Sequence, residues 1–158
     1  MKPIPIFMHH TLEDIPKYTM PSGFHFRFYE REDDLGNWAR IVTATKEFAN
    51  ETEAIGRFKK EFLPFKDQLF KRVIFIETKD GETIGTATAW FGMWQKEELG
   101  RLHWVEILPD YQGQGLGKPL ISKTMELLAQ HHNKAYLKTQ DTSEAAIHIY
   151  QKFGSGGK

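Results

Sequence analysis

The sequence contains no cysteine, which excludes disulfides, thiolate metal sites and cysteine nucleophiles together. It also lacks an excess of charge of either sign, since Lys plus Arg and Asp plus Glu number 21 each. Neither nucleic acid nor a membrane surface is therefore expected as a partner. Long apolar runs are missing too. The longest clean aliphatic-aromatic stretch is "VIFI", far short of a membrane span. The N-terminal "MKPIPIFMHHTLEDIPKYTM" has no signal-peptide core, because His9, His10, Glu13 and Asp14 interrupt it. Nor is a metal site expected. His9–His10 and His131–His132 are adjacent pairs whose members do not share a face of a strand or helix, and no carboxylate or cysteine stands at ligand spacing. These absences together describe a soluble, cytoplasmic protein.

What is present fits one compact domain. A chain of 158 residues buries roughly two-thirds of the surface its unfolded form exposes. Residues 1–22 read as an irregular segment, punctuated by Pro3, Pro5, Pro16 and Pro21, and residues 23–158 as a single domain. "GFHFRFYERE" alternates like a strand. Asp33 or Asp34 can cap a helix through "LGNWARIVTATKEF", and Thr52 a second that stops at Pro64. "KRVIFIET" and "ETIGTATAWF" form a hairpin around Asp80-Gly81. After a charged loop, "RLHWVEIL" makes another strand. A helix from Gly117 to His131, the strand "KAYLKT" and a helix over "SEAAIHIYQKFG" complete the chain. The order is β-αα-βββ-α-β-α. Three hairpin-type strands followed by a right-handed β-α-β crossover predict an α+β fold, a mixed sheet with helices on its faces. The run "KKEFLPFKDQLFKR" reads as a solvated helix end, because acidic residues interrupt its positive charge.

The stretch richest in chemistry is "LPDYQGQGLGKPL". Glycine loses more backbone freedom on folding than any other residue, so Gly113, Gly115 and Gly117 together need a reason. Without Cβ atoms, the amides of such a loop can form a nest, and the helix that follows presents its positive end. The combination suits a phosphate or pyrophosphate, with Lys118 adding a charge at the rim. Spacing excludes two phosphate loops. A Walker A loop needs four residues before its Gly-Lys pair and a hydroxyl after it. Here Gly113 and Gly117 are separated by three, and Pro119 holds the hydroxyl position. A Rossmann fingerprint needs G-x-G-x-x-G within a βαβ unit, and this loop reads G-x-G-x-G.

Gln112, Gly115 and Gly117 instead form Q-x-x-G-x-G between a strand and a helix, and here the chain resembles the GNAT superfamily of acetyl-CoA-dependent N-acetyltransferases. The late helix strengthens the resemblance. Ala146, Tyr150, Lys152, Phe153 and Gly154 match that family's pattern, with Ser143 where asparagine is common. The resemblance covers residues 23 to 154. It implies that the amides from Gln112 through Gly113, Gln114, Gly115, Leu116 and Gly117 to Lys118 bind the pyrophosphate of coenzyme A. Ser143 and Ala146 join this cofactor set. It implies a bulged strand whose backbone at Val105, Glu106 and Ile107 pairs with the pantetheine arm. It casts Tyr150 as general acid to the leaving thiolate. His103 is the candidate base, an imidazole able to take a proton at neutral pH. Glu106 is its rival, although on strict alternation it faces away from His103. A bulge between them reverses that argument.

One departure matters. Such folds usually continue into two more strands, whereas this sequence ends in "KFGSGGK". Either the sheet edge is open, or "KPIPIFMHH" or a strand from a second subunit covers it; the open edge admits a homodimer. Two functions follow. One is direct acetyl transfer from acetyl-CoA to a primary amine, with a small-molecule acceptor expected. The other is a non-catalytic acetyl-CoA-binding module acting through a partner protein.

Overall fold

The computed structural model describes residues 7–94, 96–138 and 144–153. Ser143 and Gly154 lie outside the described residues. Among those described, six strands form one sheet: β1 (Phe7–His10), β2 (Phe24–Phe28), β3 (Val73–Thr78), β4 (Thr83–Trp94), β5 (Glu97–Ile107) and β6 (Ala135–Lys138). Their order across the sheet is β1-β6-β5-β4-β3-β2, and only the β5–β6 pairing is parallel. The helices are α1 (Asp34–Ala44), α2 (Glu51–Glu61), α3 (Lys66–Arg72), α4 (Gly117–His131) and α5 (Glu144–Lys152). The mixed sheet and the α+β class are as expected.

Each sheet face carries its own core. On one side, Leu120, Ile121, Met125 and Leu128 of α4 and Ala146 and Tyr150 of α5 pack on Ile74, Ile76, Ala87, Leu102 and Val105. On the other, Trp38, Ile41 and Val42 of α1 and Ala54 and Phe58 of α2 pack on Val73, Phe75, Trp90 and Trp104. Their spacing of three or four along each helix makes one apolar stripe per helix. The crossover through α4 brings β6 beside β5, and this places the loop between β5 and α4 at the strands' carboxyl ends.

Several local expectations are corrected. Residues 7–10 are not irregular: they form β1, which pairs antiparallel with β6 and covers its edge. The Asn50 side chain caps α2 in place of Thr52, accepting from the Glu53 amide at 2.9 Å. Asp34 opens α1 but spends its carboxylate on Arg27 and on the amides of Glu30 and Arg31. The segment after Pro64 winds into α3, and β3 starts at Val73. Most of the expected charged loop is strand, because β4 extends to Trp94 and β5 begins at Glu97.

Candidate active site

β5 pairs with β4 along almost its whole length, but the register slips by one residue. Thr86 faces Glu106 and Thr88 faces His103, so two steps on β4 match three on β5. The extra residue is a bulge, and Trp104 within it has φ of 50°. Leu102 and Val105 point into the α4 core, whereas Trp104 points into the α1–α2 core and His103 reaches Glu61 of α2. The bulge therefore resets the alternation and puts Glu106 on the same face as His103. Strict alternation had them opposed.

On its other edge, β5 pairs with β6 only at Gly100–Ala135 and Arg101–Tyr136 among the described residues. A cleft of about 680 Å³ opens at the carboxyl end of β5, between it, the loop that follows, the start of α4 and α5. Val105, Glu106 and Ile107 line one wall, and Gln112, Gly113 and Gly115 line the loop end. Leu116, Gly117 and Lys118 line it at the start of α4, and Ala146 of α5 faces them. Tyr111, Ile121 and Ile149, which the sequence did not single out, are also on its walls.

The loop is built as a nest. Gly113 and Gly115 have φ of 78° and 81°, the left-handed region that glycine enters without penalty. The amides then precede the positive end of a 15-residue helix. The Gln112 side chain donates to the Ile107 carbonyl at 2.9 Å and ties the loop to the strand wall. Gln114 does not line the cleft; its amide donates to the Asp110 carbonyl at 3.3 Å. The Lys118 ammonium rests 5.5 Å from the centre of the Tyr18 ring, at the rim. Amide nest, helix end and rim cation fit a pyrophosphate, and residues 105–107 of β5 beside them on the cleft wall fit an extended amide-bearing chain. Coenzyme A has both parts. Among the described residues, no group of three or more His, Asp or Glu is placed to hold a metal ion.

Neither expected catalytic side chain, Tyr150 or His103, is among the residues that line the cleft. Tyr150 is fully buried and is absent from the cleft wall. Its hydroxyl donates to the Ala135 carbonyl at 3.4 Å, beside the Gly100–Ala135 pair of β5 and β6. Burial pushes its phenol well above the usual tyrosine value. His103 is also fully buried and off the wall. Its Nε2 lies 2.8 Å from Glu61 Oε1, and the same oxygen accepts from Trp104 Nε1 at 2.8 Å. Burial alone would raise the Glu61 carboxyl. The bonds from His103 and Trp104 and the nearby Arg57 outweigh it and hold the group at about 2. Glu61 was missed in the sequence, being 42 residues from His103 and inside a run read as solvated surface.

Comparisons with known proteins bear on the family and the fold. The model of the acetyltransferase (GNAT) family matches residues 25–155. Over 144 residues the chain is 28% identical to a mycothiol acetyltransferase of Streptomyces griseus subsp. griseus, covering 89% of this chain and 46% of that protein. It is 24% identical over 107 residues to an uncharacterized N-acetyltransferase of Archaeoglobus fulgidus, covering 65% of this chain and 73% of the other. The solved structure of a GCN5-related N-acetyltransferase from Sphaerobacter thermophilus superposes with a TM-score of 0.68 at 16% identity, over 95% of this chain and 47% of that one. The chain thus spans about half the length of the mycothiol acetyltransferase it matches.

Proposed function

The chain belongs to the acetyltransferase (GNAT) family, and from that premise we propose that it transfers the acetyl group of acetyl-CoA directly to a primary amine, with a small molecule as acceptor. The observation that carries this reading is a cleft of about 680 Å³ lined together by the glycine nest, the start of α4 and residues 105–107 of β5. The nest and Lys118 take the pyrophosphate, and the backbone of residues 105–107 pairs with the pantetheine arm. The thioester then lies beyond residues 105–107, away from the nest.

In this reading the amine nitrogen attacks the thioester carbonyl carbon, the carbon–sulfur bond breaks, and the thiolate leaves with a proton. No covalent acyl-enzyme forms, as suits a chain without cysteine. Glu106 rather than His103 takes the proton from the amine, because Glu106 lines the cleft and His103 does not. Tyr150, which stands where the family pattern has its tyrosine, supplies the proton to the thiolate from behind the cleft wall, and burial keeps its phenol protonated. β1 covers the edge that would otherwise invite a second subunit, and one chain is taken as the catalytic unit. No described helix is long and apolar enough to cross a membrane, and the cytoplasm, where acetyl-CoA is at hand, is the proposed location.

The test is thiol release from acetyl-CoA against a panel of primary amines. Turnover on at least one amine is the expected result. Acetyl-CoA binding without turnover on any amine would favour a binding module, and no binding at all would overturn the assignment of the nest.

A further inference from the structure

We propose that Glu61 is a positioning residue, which holds the β5 bulge in shape from across the sheet and thereby sets the strand edge that receives acetyl-CoA. The inference rests on the acetyl-CoA reading above and adds a residue from α2 that touches neither the nest nor the cleft wall.

Consecutive residues of a regular strand send their side chains to opposite faces. His103 and Trp104 are consecutive, yet both reach one oxygen, Glu61 Oε1, each at 2.8 Å. Only a bulged backbone allows this. The two bonds are therefore satisfied by the bulge and broken by a flat strand, so they bias the equilibrium between the two. Such a bias is needed, because Trp104 sits at φ of 50°, a region that bulky side chains enter only under strain.

The carboxylate is well suited to the task. It is ionised throughout the physiological range and so can only accept, which requires His103 to carry its proton on Nε2. Its second oxygen lies 3.4 Å from Arg57 Nη2, one turn back along α2. His103 and Trp104 are almost wholly buried, at 0% and 3% exposure, so water competes little for either donor. The next three residues of β5, Val105, Glu106 and Ile107, are those that line the cleft. Relaxing the bulge would shift them all by one position and turn Glu106 away from the face it now shares with His103.

The experiment is isothermal titration of wild type, Glu61→Ala, Glu61→Gln and Trp104→Phe with two probes. Acetyl-CoA spans the nest and the strand edge, whereas ADP offers the nest a pyrophosphate without a pantetheine arm. Glu61→Ala is expected to weaken acetyl-CoA by about tenfold, the worth of a lost charge-assisted bond, with ADP changed by less than about twofold. Glu61→Gln keeps an acceptor oxygen and is expected to restore most of the affinity. Trp104→Phe, which keeps a ring but loses the donor, is expected to fall between them. Wild-type acetyl-CoA affinity in Glu61→Ala would overturn the inference, and so would parallel loss of both probes, which would mark Glu61 as a general anchor of α2. If Glu61→Ala does not fold, unchanged affinity in Trp104→Phe overturns it equally. A wild-type protein that bound neither probe would instead overturn the acetyl-CoA reading itself, and this inference with it.

Discussion

Arg27 and Asp34 face each other through a two-pronged bond, Nη2 to Oδ1 at 2.6 Å and Nη1 to Oδ2 at 2.9 Å, with side chains 9% and 0% exposed. The pair joins β2 to the start of α1, and Glu77 of β3 completes it by accepting from Arg27 Nε at 2.8 Å. A buried charge left without its partner is costly, so Asp34→Ala is expected to destabilise the fold by about 3 kcal/mol, the lower end for a broken buried pair because Arg27 keeps Glu77. Chemical unfolding of the two proteins measures this directly.

The same pair makes an acid-stability prediction. Burial alone would raise the Asp34 carboxyl, but the hydrogen bonds from Arg27, from the amides of Glu30 and Arg31 and from Asn37 hold it far below the usual carboxylate range. Glu77 moves the same way, burial opposing and Arg27, Arg31 and His25 prevailing. Both groups have lower values folded than unfolded. Their contribution is therefore complete above the unfolded value of about 4 and is lost as pH falls through the folded one. Unfolding free energy measured from pH 7 to pH 2 should drop below about pH 4. Asp34→Asn should start lower and lose less over that range. A wild-type profile flat down to pH 2 would contradict the assignment.

Two glycines should respond in opposite directions to alanine. Gly115 has φ of 81°, where any Cβ is strained, so Gly115→Ala is expected to lose about 1 kcal/mol of stability and to weaken acetyl-CoA binding. Gly56 lies within α2, with nothing within 4 Å of where a Cβ would stand. Gly56→Ala is expected to gain about 0.5–1 kcal/mol and to leave acetyl-CoA binding unchanged. Thermal unfolding and acetyl-CoA titration of both variants test the contrast.

The nest was legible because glycines at that density before a helix have few other uses. The helix–strand–helix order after it was equally plain, since α4 and α5 carry strong periodic patterns. What the sequence hid was tertiary. β1 is four residues long and follows two prolines, and it becomes a strand only through pairing with β6. α3 has seven residues, too few to show a period, and it follows a 3-10 turn over Leu63–Phe65 that contains Pro64. The bulge was expected only through resemblance, because its left-handed residue is Trp104, whereas a glycine there would have marked the turn. Glu61 had no local signal at all. Its meaning comes from donors on a strand 42 and 43 residues further on.

Whether the phenol buried beside Ala135 is chemical or merely packed is tested at Tyr150. Its hydroxyl makes one long bond, 3.4 Å to the Ala135 carbonyl, so Tyr150→Phe should change stability by less than about 1 kcal/mol. If the phenol protonates the leaving thiolate, kcat should fall by about tenfold or more with the KM for acetyl-CoA little changed. Steady-state kinetics of the variant decide between the roles, since full turnover in Tyr150→Phe would confine the residue to packing.

Glu106 carries the sharpest prediction, because the bulge brings it to the cleft wall and the face of His103. A carboxylate there can take the ammonium proton, whereas the isosteric amide cannot. Glu106→Gln preserves shape and leaves the backbone of residues 105–107 in place, so acetyl-CoA should still bind within about threefold of wild type. Turnover should nevertheless fall by about a hundredfold or more, the usual contribution of a positioned base. Loss through proton transfer should also lessen at high pH, where more of the amine arrives already neutral. A variant as active as wild type near pH 7 would return the base role to His103, and His103→Gln, with Glu61 unchanged, would then be the variant to lose turnover.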